Sequence, residues 1–564
     1  MRFRLTKETD MTTSGISHTD VLVVGAGPTG LTMACELARH GITPRIIDKA
    51  PAPSDKSKAF GIHARTLELF ETMGIVDTVL GQGNICNGFD MYNHGKPLAH
   101  VIFDSLESKY PFFLILAQSD TEKILNAHLE SYGIKVEREK ELVGIEQSDA
   151  GITARLKIKD GSQEFIDCSY IAGCDGAHSS VRHVLNLDFK GAPYPNYWLL
   201  ADCDLDWKYP LHHLSVFIHP LGVTAYFPLY SDRGRLMFEL PDAPVDEEMA
   251  EPTIEDVRRL MDEREIDYRS VGNPNWLAYF KLHHRMVDKY GEGRVFLSGD
   301  AAHIHSPMGG QGMNTGIQDA YNLAWKLALV LKGRSPESLL DSYNTERHRV
   351  GTGVVGLTDM ATKMIGLHNP VLAAVRNKLL GTLSKLDPVQ EKILTTLSQI
   401  EINYRESPIV GERWYQPDAV EGYHNYRHDL QAGERVKDYA LTSLDGKTSA
   451  RLYGLLGDTR HNLLLFTGAL PEGMEFDELR KIHHSIESEY GDMIAVHLIA
   501  GSNEIPPDFI KMNSVWRDKD LLMHRDFGAA KSSLYLIRPD GYIGFRNEPA
   551  SLSDLLEYLS IIFL

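Results

Sequence analysis

The sequence predicts an α/β protein built on a doubly wound, mostly parallel sheet, with a β-rich layer interleaved in the chain and a smaller α/β unit at the C-terminus. Three observations predict this. Residues 20–50, DVLVVGAGPTGLTMACELARHGITPRIIDKA, read strand, glycine turn, helix, strand. Two more apolar strands end in Cys174-Asp175-Gly176 and Gly299-Asp300. Residues 431–564 restart with apolar strands of their own, and 564 residues are too many for one core.

Each element follows from local pattern. Residues 1–18 are polar without an apolar stretch, so a disordered tail is expected and a secretory signal is excluded. Residues 21–24 form a short apolar run, as a strand buried on both faces requires. Leu31, Cys35, Leu37 and Ala38 stripe the following helix, Gly41 lies just past its end, and Asp48 closes the second strand. Residues 121–133 have a helical pattern. The segment after them alternates through the turn signals Asp149-Ala150-Gly151 and Lys159-Asp160-Gly161, an antiparallel excursion returning to the strand at 170–174. Residues 197–240 are β-rich, 252–266 helical, and 294–300 end in a short apolar strand. From 314 to about 400 the pattern is helical, broken near Gly351, Gly353 and Pro370. Residues 401–430 lack periodicity and read as a linker packed on the first module. In the last unit, 461–468 and 493–500 are buried strands, and 532–547 a hairpin turning at Pro539-Asp540-Gly541.

Composition bounds the partners. The net charge of −19 speaks against nucleic acid and against an anionic membrane. The five cysteines, Cys35, Cys86, Cys168, Cys174 and Cys203, are odd in number and contain no CxxC, which fits buried small hydrophobes in a reducing cytoplasm. No apolar run reaches the ~20 residues that span a bilayer.

The chemistry begins at Gly25-Ala26-Gly27-Pro28-Thr29-Gly30. Between strand and helix, Gly25 permits the tight turn, Gly27 lets a pyrophosphate approach the backbone, and Gly30 lets helix and strand pack. The helix N-terminus offers free N–H groups to phosphate, and Asp48 can accept from ribose hydroxyls. Asp175 and Asp300 stand at two more strand ends, so three ends converge on one crevice. Gly309, Gly310 and Gly312 then crowd a loop, which requires something to come close to the backbone.

These segments resemble the single-component FAD-dependent aromatic hydroxylases, the para-hydroxybenzoate and phenol hydroxylase group. GAGPTG, CDGAHSSVR, SKAFGIHARTLELF, AQSDTEKIL and GDAAHIHSPMGGQGMNTGIQDAYNLAWKL carry the likeness. It implies a glutathione-reductase-like FAD-binding fold over 19–190 and 291–400 and a β-rich substrate domain over 191–290. It also implies a thioredoxin-like domain over 431–564. The implied reaction uses NADPH or NADH and O2 to hydroxylate a phenolic or polyketide-like ring through a flavin C4a-hydroperoxide. Baeyer–Villiger or antibiotic-modifying oxidation is the alternative, and a catalytically silent flavin-binding scaffold is a third reading. A homodimer is expected.

By the same resemblance, the loop wraps the flavin. Backbone N–H groups near Gly310, Gly312, Met313 and Asn314 face its N1–C2=O edge, with the positive end of the next helix behind them. Pro307 sits at the reactive side. Gln118 contacts the cofactor, Val143 passes a backbone amide to adenine, and Asp300 bonds the ribityl or pyrophosphate part as a buried carboxylate. Lys58 replaces the family's arginine and loses bidentate geometry. Phe60 stands where phenol hydroxylases often carry an acid, which argues against simple phenol. Substrate contacts are expected from His219, Tyr226, Phe227, Met237 and Phe238, of which alternation lets only part face the cavity. His63, His283, His284, His303 and His305 have no metal spacing, so no metal is expected and they read as solvated or supporting residues. The C-terminal unit has no cysteine and cannot exchange disulfides. It is expected to supply no catalytic residue and to be removable near Gln431 without loss of flavin chemistry.

Overall fold

The computed structural model describes residues 17–564 apart from 55, 58, 149–150, 231–232, 242–249, 308, 367–369, 385, 415–429, 470–475, 502–504, 508, 510–511 and 513. Lys58 and most of the expected tail lie outside the described residues, but Ser17 and His18 open the first strand.

The first module is an eight-stranded sheet whose parallel core runs Val295–Leu297, Gln163–Gly173, Ser17–Val24, Arg45–Asp48. The antiparallel excursion Lys140–Ser148 and Gly151–Ile158 returns into Gln163–Gly173 as expected. The helix Pro28–Arg39 is buried around nearly its whole circumference, because the sheet takes one side and the helix Gln311–Leu331 another. An apolar stripe is therefore too narrow a description of it.

The β-rich layer is a second eight-stranded sheet. Its long strands Lys190–Trp207 and Tyr268–Met286 continue through Arg233–Leu240, Thr224–Tyr230 and His213–Ile218. Gly88–Asn93, Lys96–Ile102 and the short His303–Ile304 complete it, so the first module lends the layer three strands that the boundaries at 191 and 290 excluded. The helix Ile254–Glu263, closed by a Thr253/Asp256 capping box, covers its outer face. Gly351 and Gly353 do not break a helix. They lie inside Arg349–Ile365, and at Gly351 a side chain would collide with the Tyr290 hydroxyl.

The C-terminal unit has a mixed sheet. His461–Phe466 runs parallel to Ile494–Ala500 and antiparallel to Ser533–Ile537, which forms the expected hairpin with Ile543–Glu548. The region read as a linker does more than pack. Gly411–Trp414 adds an edge strand to this sheet. Upstream, the Tyr404 amide donates to Gly433 O at 2.7 Å and its hydroxyl accepts from Arg347 Nη1 at 2.9 Å.

Buried ion pairs, which the expectation of removal does not include, join this unit to the first module. Arg538, beside the hairpin turn, donates both terminal nitrogens to Glu346 at 2.6 and 2.9 Å. Lys326 Nζ holds the same carboxylate at 2.8 Å, and all three side chains are buried. Asp540 accepts from Asn322 and the Trp325 indole, and Arg435 bonds Glu68 at 2.8 Å. Glu346 and Arg347 lie in one π-helical turn, Asn344–His348. Glu346 reaches the C-terminal unit, and Arg347 reaches Asp319 under the cofactor-side strand end at 2.6 Å.

Candidate active site

The parallel strand order sets the crevice. Gly25 N donates to Ile47 O at 2.8 Å, Cys174 N to Val24 O at 2.7 Å and Ser298 N to Gly173 O at 2.9 Å. The ends carrying Asp48, Gly25, Asp175 and Asp300 therefore lie side by side, where an open α/β sheet receives its ligand.

The three glycines differ in what surrounds them. Gly25 has φ +101°, and a side chain there would run into the Cys174 carbonyl. One at Gly30 would collide with the Gly25 carbonyl oxygen. At Gly27 a Cβ would meet nothing within 4 Å. Gly25 and Gly30 are thus demanded by the protein itself, while Gly27 keeps space open above a helix N-terminus whose first residues are Pro28 and Thr29. This is the shape a pyrophosphate needs.

The carboxylates divide their work. Asp48 Oδ2 accepts from Ala26 N and Oδ1 from Ala50 N, both at 2.7 Å, so it ties the glycine turn and keeps lone pairs for a ribose. Asp175 Oδ2 caps the helix Ser180–Val184 through Ser180 N and Oγ, at 2.6 and 2.8 Å. Its Oδ1 is buried without a hydrogen-bond partner among the described residues. Asp300 lies in a 3₁₀ turn and is exposed, not buried as expected. Gln118 starts the helix Gln118–Ser131 and grips Ala59 by its backbone N–H and by Oε1. Val143 is the extra residue of a bulge between the pairs Arg155–Gly144 and Leu156–Leu142, which leaves its backbone unpaired in the ladder.

The glycine loop departs from expectation. The helix begins at Gln311 and not at Asn314, with Gly310 as N-cap at φ +65° and Gly309 at φ +80°. Gly310 N donates to Pro307 O at 2.9 Å and closes the loop. The N–H groups without intrahelical acceptors are therefore those of Gln311, Gly312 and Met313. Asn314 is committed elsewhere. Its Oδ1 accepts from His63 N at 2.9 Å, and its Nδ2 donates to Gly61 O and Gly310 O, each at 2.8 Å.

His63, read as solvated or supporting, is a buried clamp whose Nε2 donates to Gly309 O at 2.7 Å. Burial lowers its pKa to about 4, so it stays neutral. His305 is likewise lowered to about 4, by burial and then by His303. His303 is buried too, with Nε2 2.8 Å from Asp319 Oδ2. Because the unfolded chain binds protons at an ordinary histidine pKa near 6.5, the loop is stabilised fully above that value, and stability falls as pH drops towards 4. Thermal melts of wild type across pH 4–7 are expected to slope that way, and His63→Gln to flatten the slope. An unchanged slope contradicts the assignment.

Alternation sorts the substrate layer. Tyr226 and Phe238 face outward, into the cluster of Trp207, Leu236 and Met261 under the helix Ile254–Glu263, and do not line the inner face. His219 stands at a strand end against His94, 4.8 Å between ring centroids, in a surface group with Glu265. A second such group, Asp90 between His100 and His213, also lies on the outer face, its carboxylate taken by both imidazoles at 2.6 and 2.8 Å. Phe227 faces inward against the first module, and Met237 lies in the inner cluster with Trp198 and Ala225.

The inner face carries a residue that sequence reading missed. Phe227, Arg235, Asp202 and Trp276 stand opposite one another across four strands. Arg235 Nε and Nη2 bind the Asp202 carboxylate at 2.6 and 2.7 Å. The guanidinium packs on Phe60 and Trp276, 4.8 and 5.1 Å from the ring centroids. Its Nη1 is buried without a hydrogen-bond partner among the described residues. Phe60, set edge-on to Phe227 at 4.5 Å, joins this row to Gly61 and so to the Asn314 clamp. The sequence signal is weak, because Arg233 and Arg235 share one strand and nothing local says that Arg235 is the one packed among aromatic rings.

Comparison with known proteins decides the family. Residues 18–358 match the FAD binding domain family. The chain is 32% identical to a 6-methylpretetramide 4-monooxygenase of Streptomyces rimosus, over 96% of this chain and 93% of that protein. The chain belongs to the FAD-dependent aromatic hydroxylases. Among other members, a pentachlorophenol 4-monooxygenase of Sphingobium chlorophenolicum is 31% identical over 93% of each chain. An aklavinone-11 hydroxylase, solved as a ternary complex with FAD and aklavinone, superposes with a TM-score of 0.75 at 26% identity, covering 96% of this chain and 98% of that one. This aromatic hydroxylase is thus an FAD-dependent monooxygenase. Among its described residues no helix is long and apolar enough to cross a membrane.

Proposed function

We propose that this monooxygenase hydroxylates a fused-ring, polyketide-like aromatic that carries an acidic phenol or enol oxygen. The observation behind the proposal is the buried, unpartnered Nη1 of Arg235 set among aromatic rings. A buried donor left unmade costs about 1–3 kcal/mol, so a substrate oxygen that accepts from it is favoured over a ring without one. Phe60, Phe227 and Trp276 supply flat apolar contact to the ring system. Asp202 keeps the guanidinium in place and compensates its charge.

The chemistry supplied here when FAD is held would be oxidation of NAD(P)H and activation of O2 for transfer of one oxygen atom to the ring. The chain's residues position the cofactor. Gly27 admits the pyrophosphate, Asp48 receives ribose hydroxyls, Val143 offers its amide to adenine, and Asp175 Oδ1 and Asp300 take polar atoms near the strand ends. The N–H groups of 311–313, with the helix behind them, stabilise negative charge on the flavin edge. Pro307, by its fixed φ, holds the loop against the reacting side. The nicotinamide dinucleotide docks where Lys281 and Arg285, on the strand Tyr268–Met286, bring positive charge beside His283. A reducing, cytoplasmic setting fits five buried free thiols.

The test is Arg235→Met, which keeps the packing volume and removes the donor. With polyphenolic substrates the variant is expected to raise KM about 10- to 100-fold while FAD content and substrate-free NAD(P)H oxidation stay unchanged. An unchanged KM for every hydroxylated substrate, judged by a product 16 mass units heavier (one oxygen atom), contradicts the reading.

A further inference from the structure

Spacing along the chain carries no metal pattern, but the β-rich layer assembles one across its strands. Gly88–Asn93 runs between Lys96–Ile102 and His213–Ile218. On the outer face, Asp90 lies directly opposite His100 on one neighbour and opposite Ser215 on the other. His213 stands two residues before Ser215 and so shares its face. Asp90 Oδ1 is 2.6 Å from His100 Nδ1, and Oδ2 is 2.8 Å from His213 Nδ1. The ligand atoms of the three side chains all lie within 4.8 Å of one another.

This trio has features that hydrogen bonding within it does not explain. Asp90 is buried, and no lysine or arginine pairs with it among the described residues. A buried carboxylate needs a compensating charge, and a neutral imidazole does not bring one. The Ser215 hydroxyl is wholly buried and has no hydrogen-bond partner among the described residues. Carboxylates that ligate a metal are themselves hydrogen-bonded, and Ser215 is a spare donor beside this one. Gly88, opposite His213, seats that imidazole, since a Cβ there would come within 2.7 Å of its Nε2. His100, on the edge strand, is 54% exposed, which gives an ion an entry path and leaves room for water.

We infer that Asp90, His100 and His213 bind a zinc ion, with water as the fourth ligand. Two imidazoles and a carboxylate suit zinc, whereas magnesium and calcium take oxygen ligands. Each imidazole binds through Nδ1 as the neutral ring with its proton on Nε2. The ion takes the place of the hydrogens that bridge the rings to Asp90. It ties two strands lent by the first module to a strand whose His213 lies 123 residues beyond Asp90. Register places the trio on the face opposite Arg235, so the ion holds the layer together and takes no part in the oxidation. The inference is independent of the substrate reading. The neighbouring group of His94, His219 and Glu265 is a poorer site, because His94 and Glu265 are exposed and His219 Nδ1 already accepts from Leu221 N at 3.3 Å.

The experiment is calorimetric titration of zinc into the FAD-loaded full chain, freed of metal by EDTA and desalting. The visible spectrum with cobalt(II) and the melting temperature are further readouts. His100→Ala removes an exposed ligand and Asp90→Asn weakens the central one, with flavin absorbance and the metal-free melting temperature verifying their folds. Wild type is expected to bind zinc at a site that either variant weakens about tenfold or more. Zinc is expected to raise the melting temperature of wild type and not of the variants. His94→Ala should bind as wild type does, and cobalt(II) should show no thiolate charge-transfer band. No zinc binding, or binding that His100→Ala and Asp90→Asn both retain, overturns the proposal. So does a thiolate band, or binding that His94→Ala removes and His100→Ala keeps, since the ion would then sit elsewhere.

Discussion

Gly27→Val is expected to fold like the wild type and to hold no FAD, whereas Gly30→Ala is expected not to fold. Both positions belong to one motif, but the space around them differs. A Cβ at Gly27 meets nothing within 4 Å, so the apo protein has no reason to rearrange. The added branches would fill the approach to the helix N-terminus, where the pyrophosphate takes its N–H donors. At Gly30 the Cβ would enter the carbonyl oxygen of Gly25 and also crowd Cys174. Both are backbone-anchored and buried, so relief requires separating the helix Pro28–Arg39 from the strand end. Overpacking of a buried contact typically costs 1–3 kcal/mol, and a clash with backbone costs more. Circular dichroism and flavin absorbance after desalting from excess FAD read the two effects apart. A Gly27→Val protein that stays yellow would refute the phosphate assignment, and a stable Gly30→Ala protein would refute the packing one.

Ending the chain at residue 430 is expected to cost the first module its fold, not merely its solubility. Glu346 and Lys326 are buried, and Arg538 supplies the second cation to that carboxylate. Burial alone would raise the Glu346 pKa. Arg538 and then Lys326 hold it far below the usual carboxylate range, which measures how strongly the ion pairs oppose desolvation. Removing one partner of a buried pair costs about 3–5 kcal/mol, a large share of a domain's stability. Truncation also strips Arg435 from Glu68 and Asp540 from Trp325. Arg538→Met in the full chain isolates the first contact. It is expected to lower stability by about 3–5 kcal/mol in denaturant melts while the expressed protein still binds FAD. A soluble, flavin-loaded 1–430 fragment would contradict the network's importance. The network ends at Asp319, which receives Arg347, His303 and the Gly299 amide, so weakening it should also loosen the strand end at Asp300.

Several misreadings share one cause. Tyr226 and Phe227 are neighbours in sequence with similar apolar character, and pattern alone cannot say which faces the cofactor module. Two flanking layers decide it: the helix Ile254–Glu263 claims the face of Tyr226 and Phe238, and the first module claims that of Phe227 and Arg235. For His63 the sequence leaves a solvated and a supporting role open, and the loop at Gly309, folding over it from 246 residues away, selects the supporting one. The backbone near Asn314 is expected at the flavin edge, and pattern does not show that a helix starting three residues earlier turns its side chain back onto Gly61.

What the sequence determined by itself was whatever local backbone geometry dictates: the βαβ unit, the separate demands on Gly25, Gly27 and Gly30, the three carboxylates at strand ends, and the hairpin at Pro539-Asp540-Gly541. Turn conformations and strand ends are encoded within a few residues, so they survive without knowledge of neighbours. Tertiary structure alone decided which face of the β-rich layer packs against the first module, that residues 88–102 join that layer, that Arg235 is left with a buried donor, and that Arg538 locks the C-terminal unit to Glu346. Each of these joins residues far apart in the chain, and burial, which sets the cost of an unpaired donor or an unmatched charge, exists only once the layers have packed.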